Sequence, residues 1–338
     1  MLPLLSTSLS PASAPTLILD TGIAKGEHLS LHHGIRAFKG LPFAEPPVGD
    51  LRWQPPRPPK PWAPDVREAT SYGKTCVQPP GAWTDFSKVS EDCLYLNAWL
   101  PRDAPPANSS GFPTLVFFYG GSWKYGSAMF PVYSGDELSS HHNVITIAAN
   151  YRLGAFGFLG SDRLRATDGS TGSFGIQDQR AALRWVHRNA KALGVDTRRL
   201  MIFGESAGAG SVANHMVRPR SWGLFTRAGM ESGPMAGWTS QSIGDATATF
   251  DAFASGLGCG GPTVGSAAVQ RCLRALPFEN ISTFCRQTKL PLPSTGLGLI
   301  NWIPVVDGVD LVDHTTTLAS SGRIAPRVPI LLGSNMCA

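Results

Sequence analysis

The 338-residue chain is predicted to adopt an α/β fold, a mainly parallel central sheet with helices on both faces. Three observations lead there. Short apolar runs recur along the chain, and the central ones are continuously apolar, as strands buried on both faces read. Helical patterns separate them, which calls for right-handed crossovers between parallel neighbours. Residues 204–208 read Gly-Glu-Ser-Ala-Gly, directly after the apolar run Leu200-Met201-Ile202-Phe203 and before a helix-compatible stretch, Ala209 to Val217. Together these make a strand, a sharp turn and a helix.

Taken in order, residues 1–14 are weakly apolar and end in the small-x-small triplet Ala12-Ser13-Ala14. Pro3 interrupts the run and no basic residue precedes it, so a weak signal-like or disordered leader is expected. The next part is irregular, because Pro46-Pro47, Pro55-Pro56 and Pro58-Pro59 break any long element. Strands are expected at Leu94–Leu100, Thr114–Tyr119, Val144–Asn150, Leu200–Phe203, Ala228–Glu231 and Val328–Leu332. Leu183, Val186 and Ala190, spaced by three and four, predict a helix over Ile176–Leu193, stopped by Gly194. No repeat or composition break divides the chain, so residues 15–338 are expected to form one domain.

Composition excludes several classes of function. With 42% hydrophobic and 16% charged residues, 37 Gly and 28 Pro, the chain is globular and loop-rich, neither disordered nor coiled. Its net charge of +5 is scattered, so no nucleic-acid stripe is expected. No apolar run approaches the ~20 residues of a membrane span. No Cys-x-x-Cys or Cys/His cluster suggests a metal, and no cofactor is expected. Six cysteines are present, and spacing alone leaves their pairing open. Asn-x-Ser/Thr sequons at Asn108 and Asn280 fit a glycosylated, secreted chain.

The chemistry centres on Ser206. A serine at the apex of a strand–helix turn is a nucleophile that needs a histidine base and an acid to orient that base. It also needs backbone N–H donors aimed at the developing oxyanion. A second glycine-rich turn, Tyr119-Gly120-Gly121-Ser122-Trp123, follows the strand ending Phe117-Phe118. Gly121 and Ser122 are placed to supply two donors and Ala207 a third.

Ordered segments along the chain resemble the type B carboxylesterases, the group that includes cholinesterases. They include FKGLPFAEPPVGDLRW (38–53), SEDCLYLNAWLP (90–101), YGGSW (119–123) and NYRLGAFGFL (150–159). GIQDQRAALRWVHRN (175–189), IFGESAGAGSV (202–212), PVVDG (304–308) and VPILLGSN (328–335) continue the match. The resemblance implies an α/β-hydrolase fold and a small-molecule carboxylic ester as substrate, while the signal-like leader and the sequons fit a secreted or endoplasmic-reticulum protein. It implies Ser206 as nucleophile and an oxyanion hole of Gly121, Ser122 and Ala207, with Ser122 where the family commonly has a third glycine. It implies disulfides Cys76–Cys93 and Cys259–Cys272, with Cys285 and Cys337 free, and structural ion pairs Arg52–Glu91 and Arg152–Asp178. Trp238 resembles an acyl-pocket wall, with a plain core aromatic as the alternative. Trp83 occupies the place of a tryptophan that holds quaternary ammonium groups by cation–π attraction. Glu205, beside the nucleophile, also occurs in cholinesterases.

The family's acid follows the strand that here reads Val328-Pro329-Ile330-Leu331-Leu332, and its histidine lies farther on. Gly333 and Asn335 match the motif, but Cys337-Ala338 stand where Asp-Glu is expected, and the histidine has no counterpart. His215 should lie about 13 Å along its helix from Ser206. His187 belongs to a helix packed outside the sheet, and His32-His33 and His141-His142 read as surface turns. The resemblance therefore implies a C-terminally truncated domain lacking the last strands and helices, with Val328–Leu332 left as an exposed apolar edge. A carboxylic ester hydrolase with impaired turnover is the leading reading. A non-catalytic binding or adhesion member of the fold and an inert truncated isoform are the alternatives. Loss of the base alone costs about a million-fold, some 8 kcal/mol, in triad hydrolases. Turnover of a p-nitrophenyl ester by this chain should therefore fall far below that of a C-terminally extended form. Equal rates would mean that another base serves Ser206.

Overall fold

Eight strands form one sheet in the order β8-β7-β6-β4-β5-β3-β2-β1 in a computed structural model. It describes residues 13–29, 34–80, 89–105, 107, 109–261, 264–295 and 300–335. The strands are β1 (Glu27–Leu29), β2 (Ile35–Pro42), β3 (Tyr95–Leu100), β4 (Phe112–Phe118), β5 (Ile145–Ala149), β6 (Val195–Glu205), β7 (Arg227–Glu231) and β8 (Ile330–Gly333). From β5 to β8 all pairings are parallel, whereas β5, β3, β2 and β1 are joined by antiparallel pairings. The sheet is thus mainly parallel, as expected. Residues 1–12 of the leader, His32, His33, Trp83, Asn108 and Cys337 lie outside the described residues.

Helix α1 (Asp136–His142) packs on one face, against β2, β3 and β5, while α2 (Phe174–Arg188) and α3 (Ala207–Val217) lie on the other. The two faces are covered unequally. Val116, Ile147, Leu200 and Ile202 are fully buried on the α3 side. Leu115, Phe117, Met201 and Phe203 point to the other face and are only half-buried. The expectation of central strands buried on both faces is corrected here, because α1 reaches only one end of its face. In its place, Phe117 packs on Phe203 and Tyr133 with ring centroids 5.0 and 4.9 Å away. At the β8 edge Leu331 is 69% exposed, the apolar edge the sequence led us to expect.

The expected helix over Ile176–Leu193 is interrupted. It ends at Arg188, and a separate turn of helix covers Ala190–Leu193 before Gly194, at φ 79°. Asn189 makes the break. Its side chain donates to Trp185 O (3.1 Å) and to Asp20 Oδ1 (2.9 Å), and accepts from Asp20 N–H (2.9 Å). An asparagine amide that competes for a helical carbonyl favours a boundary, and here it also ties the antiparallel hairpin of Thr16–Leu19 and Gly22–Lys25 to the helix. His141 and His142, read as a surface turn, instead form the last turn of α1, where partial negative charge favours them.

Beneath the α3 face, Asp310 is fully enclosed by two guanidiniums. Arg180 donates to both of its oxygens (2.8 and 3.0 Å), and Arg218 donates to Oδ2. Burial alone would push this carboxyl up, but Arg218 and Arg180 outweigh it and hold it well below the usual range. A depressed folded-state value stabilises the fold above the unfolded value and is lost as pH falls. Asp310→Asn should cost about 3–5 kcal/mol, because it leaves two buried cations without their counter-ion. Urea unfolding at neutral pH measures that loss, and the difference between variant and parent should shrink below about pH 4.

Candidate active site

Ser206 caps β6 and starts α3, with φ 54° and ψ −120°. This backbone is rare for a residue with a side chain. Two hydrogen bonds hold it: Ser206 N–H donates to Glu231 O on β7 (2.8 Å), and Ser206 O accepts from Gly210 N–H (2.9 Å). The glycines around it answer a steric demand. A β-carbon on Gly204 would lie 2.5 Å from Phe118 O and 2.6 Å from the Gly208 carbonyl carbon. One on Gly208 would fall on Phe118 O, and one on Gly233 would fall on Ser206 O. The ends of β4 and β7 therefore press the turn from both sides. Gly233 was not singled out in the sequence, although its place just past an apolar strand was an available signal.

The second glycine turn meets the first. A β-carbon on Gly120 would lie 2.8 Å from Glu205 O and 3.3 Å from the Ser206 β-carbon. Gly121, at φ 99°, accepts at its carbonyl from Lys124 N–H and Tyr125 N–H, both at 2.9 Å. Ser122 (φ 56°) and Trp123 (φ 52°) follow in the left-handed region. Within the described residues no hydrogen bond takes up the N–H of Gly121 or Ser122. Ala207 is the first residue of α3, so its N–H has no partner within the helix. The structure thus brings Ser206, Gly121, Ser122 and Ala207 together at the C-terminal ends of β4 and β6.

Other expected residues surround this point. Trp238 is half-buried, with its ring 5.5 Å from that of Trp123, and it reaches the first turn of α3 beside Gly210. Glu205 is exposed, and its carboxyl is raised by partial burial and by Glu231, its register partner on β7. Gly333 lies in register with Glu231 and accepts from Ser232 N–H at 2.7 Å, so β8 ends beside the turn. Three of the described histidines serve other partners. His215 is fully buried, with Nδ1 2.9 Å from Ser221 Oγ and Nε2 3.1 Å from Gln179 Oε1. His187 meets Leu224 O, and His314 meets Ser240 Oγ.

The remaining assignments are structural. Cys76–Cys93 and Cys259–Cys272 are bonded, with Cα separations of 4.9 and 5.5 Å, and Cys285 is free. Arg52 Nε donates to Glu91 at 2.7 Å, and its Nη1 reaches the carbonyls of Leu273 and Leu276, which ties the Cys76–Cys93 loop to the chain just past Cys272. Arg152 donates to both oxygens of Asp178 (2.8 and 2.7 Å), while burial still raises that carboxyl. Asn280 is exposed in the first turn of the helix Phe278–Gln287.

The two neighbouring turn positions should respond oppositely to substitution. Gly121→Ala should cost about 1–3 kcal/mol, since its methyl falls on the Tyr125 carbonyl. Ser122→Gly removes left-handed strain worth about 1–2 kcal/mol, partly offset by the freer unfolded chain, and should leave stability equal or higher. Urea midpoints of the two variants check the contrast.

A family model described as the carboxylesterase family matches residues 13–337. A cholinesterase of Mus musculus is 37% identical over 327 residues, covering 93% of this chain and 52% of that protein. An acetylcholinesterase of Electrophorus electricus is 36% identical over 333 residues, covering 95% of this chain and 51% of that protein. The chain spans about half the length of the curated relatives it matches. The crystal structure of a carboxylesterase from Geobacillus stearothermophilus superposes with a TM-score of 0.78 at 34% identity, over 94% of this chain and 61% of that one. The same strand–turn–helix that exposes Ser206 thus lies within a match covering nearly the whole sequence, and the chain belongs to the carboxylesterase family.

Proposed function

We propose that this chain is a carboxylic ester hydrolase fold whose Ser206 accepts the acyl group. Ser206 Oγ attacks the ester carbonyl, the carbonyl π electrons move to its oxygen, and the N–H groups of Gly121, Ser122 and Ala207 receive that charge. Collapse of the tetrahedral species expels the leaving group as the alcohol, which takes up through solvent the proton that Ser206 Oγ gave up, and leaves an acyl-serine for water to cleave. The observation that carries this reading is the contact between the two turns, with the Gly120 backbone against the Ser206 β-carbon and free donors beside it. A turn in this strained conformation is maintained for exposure of its side chain rather than for stability.

None of the described histidines stands at Ser206 Oγ, so the proposal for these 338 residues is acyl transfer to Ser206 with slow turnover. The ester's acyl side would meet Trp238. A choline-ester preference rests on Trp83, outside the described residues, and on the names of the relatives. Two disulfides favour an oxidising compartment, the secretory route or beyond.

A fluorophosphonate tests the nucleophile directly. Mass spectrometry should locate a single adduct on Ser206, and Ser206→Ala should abolish it. A folded protein that stays unmodified after prolonged exposure would reject the reading.

A further inference from the structure

We propose that Ser211 is a positioning residue that locks the oxyanion turn to the nucleophile helix; this rests on the acyl-transfer reading above. Ser211 lies one turn beyond Ala207 on α3 and is fully buried. Its hydroxyl has one proton to give and two lone pairs to fill, and all three are used. It donates to Ala207 O (2.9 Å), accepts from Trp123 Nε1–H (2.9 Å) and accepts from Gln179 Nε2–H (3.1 Å). Trp123 is the residue after Ser122, so one atom joins the oxyanion turn, the nucleophile helix and α2.

A longer chain of hydrogen bonds holds that hydroxyl in place. Gln179 gives its amide protons to Ser211, so its Oε1 accepts, and His215 Nε2 must carry the proton between them. His215 Nδ1 then accepts from Ser221 Oγ–H, and Ser221 Oγ accepts from Arg180 Nε (2.8 Å). Arg180 is itself fixed by Asp310. Every donor from Arg180 through Ser221, His215, Gln179 and Ser211 to Ala207 O points the same way, an arrangement in which each bond polarises the next. Burial, then Arg180 and Arg218, hold His215 well below its usual range, so the neutral tautomer this chain needs is the stable one. His215 thus has a role other than base: it orients Gln179.

The consequence is geometric. The Trp123 ring is held at Ser211, and the turn Gly121-Ser122-Trp123 carries two of the three proposed donors, the N–H groups of Gly121 and Ser122. Without the Ser211 hydroxyl, Trp123 Nε1–H and Gln179 Nε2–H lose a shared acceptor where all three residues are fully buried, and the turn can shift relative to the serine. Misplacement by a fraction of an ångström slows reaction without weakening encounter.

The test compares the full chain with Ser211→Ala, Trp123→Phe and the double variant. Fluorophosphonate labelling of Ser206 should show a limiting rate about tenfold lower in each single variant at unchanged half-saturation, with no further loss in the double. In ¹⁵N-tryptophan spectra the Trp123 indole proton should exchange slowly in the parent and rapidly in Ser211→Ala. Should Ser211→Ala fail to fold, Trp123→Phe removes the same bond from the other side. Labelling of Ser211→Ala at the parental rate, additive losses in the double variant, or a rapidly exchanging Trp123 proton in the parent would each overturn the proposal. A folded parent that resists labelling but protects Trp123 only when Ser211 is present would reject acyl transfer and retain the lock.

Discussion

The whole site depends on how closely three strand ends approach one turn. The C-terminal ends of β4, β6 and β7 converge on Ser206, and there is no room for a β-carbon on Gly204, Gly208 or Gly233. This crowding forces the chain to reverse within one residue, so Ser206 takes a left-handed φ and its side chain projects from the end of the sheet. Ser232 repeats the conformation one strand over (φ 55°), and its N–H is paired with Gly333 O as that of Ser206 is paired with Glu231 O. Neighbouring parallel strands end alike, and the line of carbonyls that satisfies them also holds them level.

Such strain persists only where its surroundings over-determine it. Ser122, Trp123, Ser206 and Ser232 all lie at positive φ, at about 1–3 kcal/mol each for residues of this kind. The opposing stabilisation comes from the buried face of the sheet and from the ionic cluster below α3. Asp310 touches none of the reacting groups, yet it anchors Arg180 and Arg218, which support the helices carrying Ser206 and Gln179. Rigidity at the turn and stability of the core are therefore coupled through a few buried polar groups, each with its partners satisfied.

Unequal covering of the sheet shapes the rest of the molecule. The α3 face is a closed core, while Leu115, Phe117, Met201 and Phe203 form a half-buried aromatic and aliphatic surface that runs toward the exposed β8 edge. Glu205 sits at the end of that open face, and its raised carboxyl follows from partial burial beside Glu231. The raised carboxyl next to the nucleophile thus follows from how the strands pack, which no local segment encodes.

The sequence by itself determined six of the sheet's eight strands, the two glycine turns and Ser206 at the apex, because these are short-range demands: apolar period, absence of a β-carbon, and a turn between strand and helix. The stretch holding β1 and β2 read as irregular, and β2 is a strand because it pairs with β3, far along the chain. It could not assign the cysteine pairs from spacing, and only the family resemblance named those that the fold forms. It also led us to expect one helix where Asn189 makes two, since that break depends on Asp20, far away in the chain. The orientation of Trp123 toward Ser211, the neutral histidine inside the helix layer and the bare face of the sheet were decided by tertiary structure alone. Each depends on which groups meet across the fold, and hydrogen-bond partners or missing cover separated by dozens of residues leave no periodicity to read.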